Sequence, residues 1–320
     1  MSINMNTIPL TVIIPTYNRE KVLLQTLESL LKSEFVPDQI IVVDQTVPPI
    51  SLSTKIVETG IVHVVCSKEP SLTKSRNIGL TVAKNELILF CDDDILVNKD
   101  SIRELYEVMQ SEKMALVAAI DYRENVLFSN IKKSPLREVA GSLMGLKKVW
   151  RHDGYVIKSS MRGRYAAGIS QITKTEWAMG YFFCIRRSLV EKWNIHFDEK
   201  LKRYAYAEDL DFTYRYCLHA KDEQFITVVD PSIYVNHLAS NEWRTPTERA
   251  TLYNIVNRRY LSYKLFPQKS LYRMAIDWFD ILYLITQYRN RPYYLAIKKA
   301  LIIARKHRRE IKQGSLELIY

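Results

Sequence analysis

Residues 86–94 read Glu86-Leu87-Ile88-Leu89-Phe90-Cys91-Asp92-Asp93-Asp94: five apolar residues in a row that stop on three carboxylates. A short, unbroken apolar run of this kind is what a strand buried on both faces requires. Three adjacent carboxylates repel one another and have no place in a packed core, so the chain must surface where the strand ends. A hard divalent cation gathers such groups because it neutralises them, and magnesium takes one or two carboxylates together with substrate phosphates. A solvated acidic turn is the other reading of the same three residues, and the flanking sequence has to decide.

Upstream, short β-branched runs alternate with helical periodicity. Leu10 to Ile14 is a strand closed by Pro15, and Val22, Leu23, Leu27, Leu30 and Leu31 fall on one helical stripe. Ile40 to Val43 is the next strand and ends at Asp44; Ile61 to Cys66 is a third, and Lys74 to Ala83 reads as a helix. This alternation predicts an α/β fold with a mainly parallel sheet covered on both faces. Ligands of such sheets sit beyond the carboxyl ends of the strands. Tyr17, Asp44 and the acidic triplet should therefore share one rim.

Downstream, residues 131–175 are polar, basic and without sustained period, which suggests a long lid or binding loop. Trp177 to Ile185 returns to strand, Arg187 to Trp193 is a helix, and Ala207 to Leu218 is a second helix opened by Glu208 and Asp209. Phe225–Val229 and Ile233–Val235 are two short strands, with His237 just past the second.

The composition, 47% hydrophobic and 25% charged over 320 residues, is that of a globular chain and excludes a disordered or fibrous one. The four cysteines (Cys66, Cys91, Cys184, Cys217) are scattered, with no C-x-x-C pair. That argues against a disulfide framework or thiolate zinc site and suits a reducing compartment. No secretory leader or membrane-spanning run stands out: the greasiest late stretch, Met274 to Tyr288, is interrupted by Asp277 and Asp280. The expected location is the cytoplasm, free or resting on the inner face of the cell membrane.

Seven stretches in order, from Leu10 to Ala220, resemble the family 2 glycosyltransferases and their GT-A nucleotide-sugar fold. They are Val12-Ile-Ile-Pro-Thr-Tyr-Asn-Arg19, Ile41-Val-Val-Asp-Gln45, Lys74-Ser-Arg-Asn-Ile-Gly79, Phe90-Cys-Asp-Asp-Asp94, Gly180 through Arg187, Phe197-Asp-Glu199 and Glu208-Asp-Leu-Asp211. Any one of these is weak; their joint order across about 200 residues is specific.

The resemblance implies inverting transfer of a sugar from a nucleotide-diphosphate donor to a hydroxyl of a glycan or lipid-linked acceptor. The setting it suggests is bacterial cell-surface polysaccharide assembly. Asp92 and Asp94 would form a D-x-D motif, with Asp94 a ligand of Mn²⁺ or Mg²⁺, Asp92 touching ribose or the metal's water shell, and Asp93 turned away. Pro15, Tyr17, Asp44 and Arg76 match positions that line the nucleotide pocket, and Gln45 stands where a second acidic residue is usual. Asp209 would be the general base, supported by Glu208, and His237 a further metal or diphosphate ligand.

Each role has a plainer counterpart: a solvent-facing helix arginine for Arg76, dipole-complementing acids in a first turn for Glu208 and Asp209, and a structural histidine for His237. Asp211 is read as capping or as pairing with Arg215. A non-catalytic nucleotide-sugar-binding scaffold is the alternative function, but it would have no need of intact Asp94 and Asp209.

Charge divides the chain. Residues 241–320 carry 16 basic against 6 acidic residues and 13 aromatics, whereas the first 240 carry 30 basic against 29 acidic. This places a boundary near residue 240, between a GT-A unit (1–240) and a basic, aromatic-rich helical extension (241–320). The extension suits an anionic membrane surface, or plain packing on the catalytic unit or in a homo-oligomer. Nucleic acid is not expected, since no readout motif is present.

Overall fold

A computed structural model describes residues 6–130, 135–143, 153–238 and 245–320. In chain order the first elements are β1 (Thr7–Thr16), α1 (Glu20–Leu31), β2 (Val36–Asp44), α2 (Thr54–Val57), β3 (Val62–Cys66), α3 (Leu72–Val82) and β4 (Leu87–Cys91). There follow β5 (Ile95–Val97), α4 (Ser101–Met109), β6 (Met114–Asp121), α5 (Tyr122–Asn130), α6 (Pro135–Leu143), β7 (Tyr155–Ile157), β8 (Arg162–Arg164) and β9 (Thr173–Lys174). The remainder is β10 (Phe182–Arg186), α7 (Arg187–Lys192), α8 (Glu208–Asp222), β11 (Ile226–His237), α9 (Thr247–Leu265), α10 (Ser270–Thr286), α11 (Arg291–Lys306) and α12 (Arg308–Gln313).

The sheet runs β3-β2-β1-β4-β10-β6-β11-β5, with β9 attached to β11. Strands β1 to β4 pair in parallel, and β11 is parallel to β6. The expectation of a mainly parallel sheet needs correction on one point: β10 is inserted antiparallel between β4 and β6, and β5 and β9 flank β11 antiparallel, so the sheet is mixed. Strands β4, β6 and most of β1 are buried on both faces, which is why they read as continuous apolar runs.

Three other expectations are corrected. The strand expected from Trp177 begins only at Phe182. The two strands expected between Phe225 and Val235 are one, β11, whose pairing with β6 slips between Val229 and Tyr234, around Asp230-Pro231. The stretch expected to be a loop from 131 to 175 contains α6, a β7–β8 hairpin and β9; residues 131–134 and 144–152 lie outside the described residues.

Because β10 runs against its neighbours, its amino end meets the carboxyl ends of β1, β2, β4, β6 and β11 on one edge of the sheet. Behind that edge four rings interlock: Phe90 on Phe183 at 4.9 Å, Phe90 on Phe197 at 5.2 Å, and Phe197 stacked on Phe212 at 4.0 Å. Such pairs add about 0.5–1.5 kcal/mol each beyond their buried area. They fix α8 and the segment before it against the sheet.

After β11 the described chain is helical. Ile255, Val256, Tyr260 and Leu261 of α9 join the same hydrophobic core as the sheet. Lys264 of α9 clasps two carboxylates, the half-buried Asp198 at 2.7 Å and the buried Asp211 at 2.8 Å. Asp211 also pairs with Arg215 at 2.8 Å, the partner expected for it.

Candidate active site on the sheet rim

The carboxyl ends of the parallel strands deliver polar groups to the rim. β1 supplies Thr16, then Tyr17, which is exposed, and Arg19; β2 supplies Asp44 and Gln45; β4 supplies Asp92 to Asp94; β11 supplies His237. From α3, Arg76 reaches in from below and is 1% exposed. The helix can come this close because Gly79 faces Ile13 of β1, where a Cβ would collide with the isoleucine side chain.

The acidic triplet splits by role. A ligand atom from each of Asp92, Asp94 and His237 lies within 4.8 Å of the others. Two carboxylates and an imidazole are a donor set that could hold a divalent cation. Asp94 is engaged on both oxygens, by His237 Nε2 at 2.9 Å and by Arg19 at 2.7 Å. Burial alone would raise Asp94, but the hydrogen bond from His237 and the charges of His237 and Arg19 bring it down to about 2. His237 moves upward, its loss of solvent being outweighed by Asp94.

Asp93 turns away from the cluster, though inward: it accepts from Thr16 Oγ1 at 2.8 Å and from Arg19 at 2.6 Å. Burial pushes it up to about 7 despite these partners.

Arg76 joins this cluster to the second acidic pair. Its guanidinium donates to Asp92 at 3.1 Å, to Glu208 at 2.8 Å and to the Gly180 carbonyl at 3.0 Å, while lying 5.3 Å over the Phe197 ring. It is therefore not a solvent-facing helix arginine. Gly180 returns the contact, its N–H donating to Asp209 Oδ2 at 2.9 Å. A Cβ at Gly180 would sit 2.8 Å from an Arg76 nitrogen, so only glycine fits between the two charged groups.

Glu208 is buried and Asp209 half-buried, at the first turn of α8. Burial and the charge of Asp209 raise Glu208, with Arg76 acting against them. Burial also raises Asp209, opposed by Arg76 and by hydrogen bonds from the Gly180 and Leu210 N–H groups.

Three of the five residues before α8 adopt left-handed backbone without being glycine: Arg203 (φ 58), Ala205 (φ 49) and Ala207 (φ 69). Each such residue costs on the order of 1–2 kcal/mol and persists only where its surroundings dictate it. Asn18, between Tyr17 and Arg19, is a fourth rim residue in that state (φ 55). Tyr204, half exposed, stands beside Glu208 and Asp209 and is raised to about 12 by burial and by their charges.

The nucleotide-pocket candidates divide. Tyr17 is open to ligand, whereas Pro15 is buried in β1. Asp44 accepts from the N–H groups of Thr46 (2.9 Å) and Ile50 (2.8 Å) in its own loop, so it shapes the loop after β2. Gln45 accepts from the Ser71 N–H and donates to the Thr16 carbonyl, tying β1, β2 and the start of α3 together.

Arg19 is a functional residue that carries no expected role from the sequence. The signal for it was the surplus of carboxylate: a buried Asp93 needs a cation nearby, and Arg19 stands at the end of the first quoted stretch.

Comparison with known proteins agrees with this architecture. Among solved structures, the mannosyltransferase PcManGT of Pyrobaculum calidifontis, held with GDP-Man and Mn²⁺, superposes with a TM-score of 0.51 at 13% identity over 98% of this chain and 81% of its own. GalNAc-T7, held with UDP, GalNAc and Mn²⁺, superposes with a TM-score of 0.51 at 14% identity over 81% of this chain and 51% of its own. At these identities the likeness is one of fold. No curated protein matches the chain. The family model described as glycosyl transferase family 2 matches residues 11–193, more than half of the chain, which takes in Arg19, Arg76, the acidic triplet and Gly180 but ends before Glu208, Asp209 and His237. The protein therefore belongs to glycosyl transferase family 2 and is a glycosyltransferase.

Proposed function

We propose that the protein transfers a sugar from a nucleotide-diphosphate donor to an acceptor hydroxyl with inversion, using a divalent cation. The supporting observation is the continuity of the rim: Arg76 bonds to Asp92 of the cation-type cluster and to Glu208 of the acidic pair, while Gly180 bonds to both Arg76 and Asp209. Donor-side and acceptor-side chemistry thus share one site. The two structural neighbours hold nucleotide and Mn²⁺, which supports the same donor class here.

Asp92, Asp94 and His237 would hold the cation. When bound, it supplies positive charge against the charge that gathers on the departing diphosphate. Arg19 pairs with both Asp93 and Asp94, so it would share the charge of the triplet with the cation.

Asp209 is the base. As the acceptor oxygen bonds to the anomeric carbon, the bond from that carbon to the diphosphate breaks on the opposite face, and the hydroxyl proton passes to Asp209. A carboxylate raised by burial accepts that proton more readily than an ordinary aspartate would. Two N–H bonds aim it, and the Glu208–Arg76 ion pair at 2.8 Å fixes the turn behind it. Tyr17 offers a ring on which a base stacks, and Asp44 and Gln45 shape the loops around it. Residues 1–240 form the catalytic unit in this reading, and 241–320 its helical extension.

The test is a screen of nucleotide sugars for Mn²⁺- or Mg²⁺-dependent thermal stabilisation. It is followed by NMR determination of the anomeric configuration of the product from the best donor. A retained configuration would overturn the single-displacement mechanism, and stabilisation indifferent to chelator would overturn the cation.

A further inference from the structure

We infer that α10 and α11 form a docking surface for a bilayer containing anionic phospholipid. The inference is independent of the catalytic reading. Of the 17 residues of α10 only Ile276 and Asp280 are buried. Its exposed large side chains are Leu271, Met274, Trp278, Ile281 and Ile285, and Tyr288 continues the series just beyond the helix. Residues spaced alternately by three and four share one face, so these make a single apolar line about five turns long. Met274 is 66% and Trp278 59% exposed.

On α11 the same spacing selects Arg291, Leu295, Lys298, Ile302 and Arg305, all exposed, so cations and aliphatic groups alternate along one line. The two lines meet: Ile281 from the first, and Ile302 and Arg305 from the second, line one cavity of about 370 Å³ together with Arg273, Leu301 and Arg308.

Charge selects the occupant. Elsewhere on the surface several cations find carboxylates, Lys32 with Glu28 at 3.0 Å, Lys84 with Asp38 at 3.1 Å and Arg103 with Glu34 at 2.9 Å. Single lysines such as Lys21, Lys55 and Lys113 have no carboxylate partner among the described residues; what sets α11 apart is several such cations on one apolar helix. Among the described residues, Arg291, Lys298, Arg305, Lys306 and Arg309 have no such partner. Asp277, the carboxylate in the cavity wall, is already held by Arg259 at 2.8 Å. A second copy of the chain would suit the apolar line, but a twofold contact presents the same patch from both sides. It would set these cations against one another.

A bilayer satisfies both lines at once. The apolar residues enter the headgroup–acyl boundary and the cations meet lipid phosphates. No helix among the described residues is long and apolar enough to cross a membrane, so the contact is one of lying on the surface.

Flotation of the full chain with vesicles tests this. Binding is expected to mixed phosphatidylglycerol–phosphatidylcholine vesicles, at least tenfold weaker to phosphatidylcholine alone and in high salt, and indifferent to millimolar inorganic phosphate. Lys298→Gln with Arg305→Gln should weaken binding about 25-fold, fivefold for each charge removed. Ile281→Glu with Ile285→Glu should abolish flotation. All four side chains are exposed, so both variants should keep the parent's Tm, which distinguishes lost docking from lost folding. Equal binding to neutral vesicles, competition by free phosphate, or variants that float like the parent would overturn the proposal. So would a dimer of the parent that Ile281→Glu with Ile285→Glu splits.

Discussion

The rim of the sheet and the α10–α11 surface are both rich in charge, yet they treat it in opposite ways. At the rim, Arg19 is tied to Asp93, and Arg76 to Asp92 and Glu208, at 2.6–3.1 Å. On α10 and α11, Lys298 and Arg305 stand in solvent next to exposed isoleucines. A charge withdrawn from water must be paired, and pairing fixes geometry. A charge left in water fixes nothing and remains available to whatever approaches. The first region is organised for atoms that must be placed, the second for a surface that must be met.

The comparison breaks most sharply at the base. Asp209→Asn should lower kcat by about 10²–10⁴-fold, the usual contribution of a positioned base, while nucleotide affinity by calorimetry stays near the parent's. Turnover at the parent's rate would reduce the rim network to scaffolding. The same residue sets a pH dependence. Its carboxyl is raised by burial, and the ionised form is the one that accepts a proton. Activity should therefore be lost as pH falls through a value above the ordinary aspartate range near 3.9, and a pH–kcat profile locates that limb.

The next largest effect probes the exception within the C-terminal helices. Asp280 is buried, with Arg258 at 2.5 Å, Arg259 at 2.6 Å and Arg162 at 3.6 Å. Asp280→Asn strands those cations and should remove about 3–5 kcal/mol of stability, read from denaturant unfolding. A smaller, purely geometric effect is expected from Gly180→Ala. The added methyl displaces Arg76 and should cut kcat by about 10–100-fold and lower Tm as well, because the buried Arg76–Glu208 pair is strained. Smallest of all, Ile285→Ser on the open face of α10 should leave stability within about 0.5 kcal/mol. A larger loss would mean that this face is already covered by protein.

How much of this could be read from the residues depended on which physical constraint each element obeys. β4 and the acidic triplet were legible because a strand buried on both faces admits only apolar side chains, and the switch to aspartate marks where it surfaces. The direction of β10 was not, since Phe182 to Ile185 would look the same pointing either way. β11 was split in two because Asp230-Pro231 interrupts its apolar run, yet the chain absorbs the interruption as a slip in register. Within the site, Arg76, Asp92, Glu208 and Asp209 converge from residues far apart in sequence. That convergence followed from ordered motifs, while the hydrogen-bond assignments did not. Arg19 left a partial signal in the surplus of carboxylate, whereas Gly180 left none: its role is a close approach that exists only once the chain has folded.

The left-handed run that leads into α8 has a consequence for anyone seeking a hardier version of this protein. Glycine at Ala205 or Ala207 would relieve an unfavourable backbone and make the chain more resistant to heat. The same relief would let the first turn of the helix wander, and the carboxylate carried there would be aimed less well. In the proposed mechanism, the discomfort of those three residues would help hold the Asp209 carboxylate to one pose.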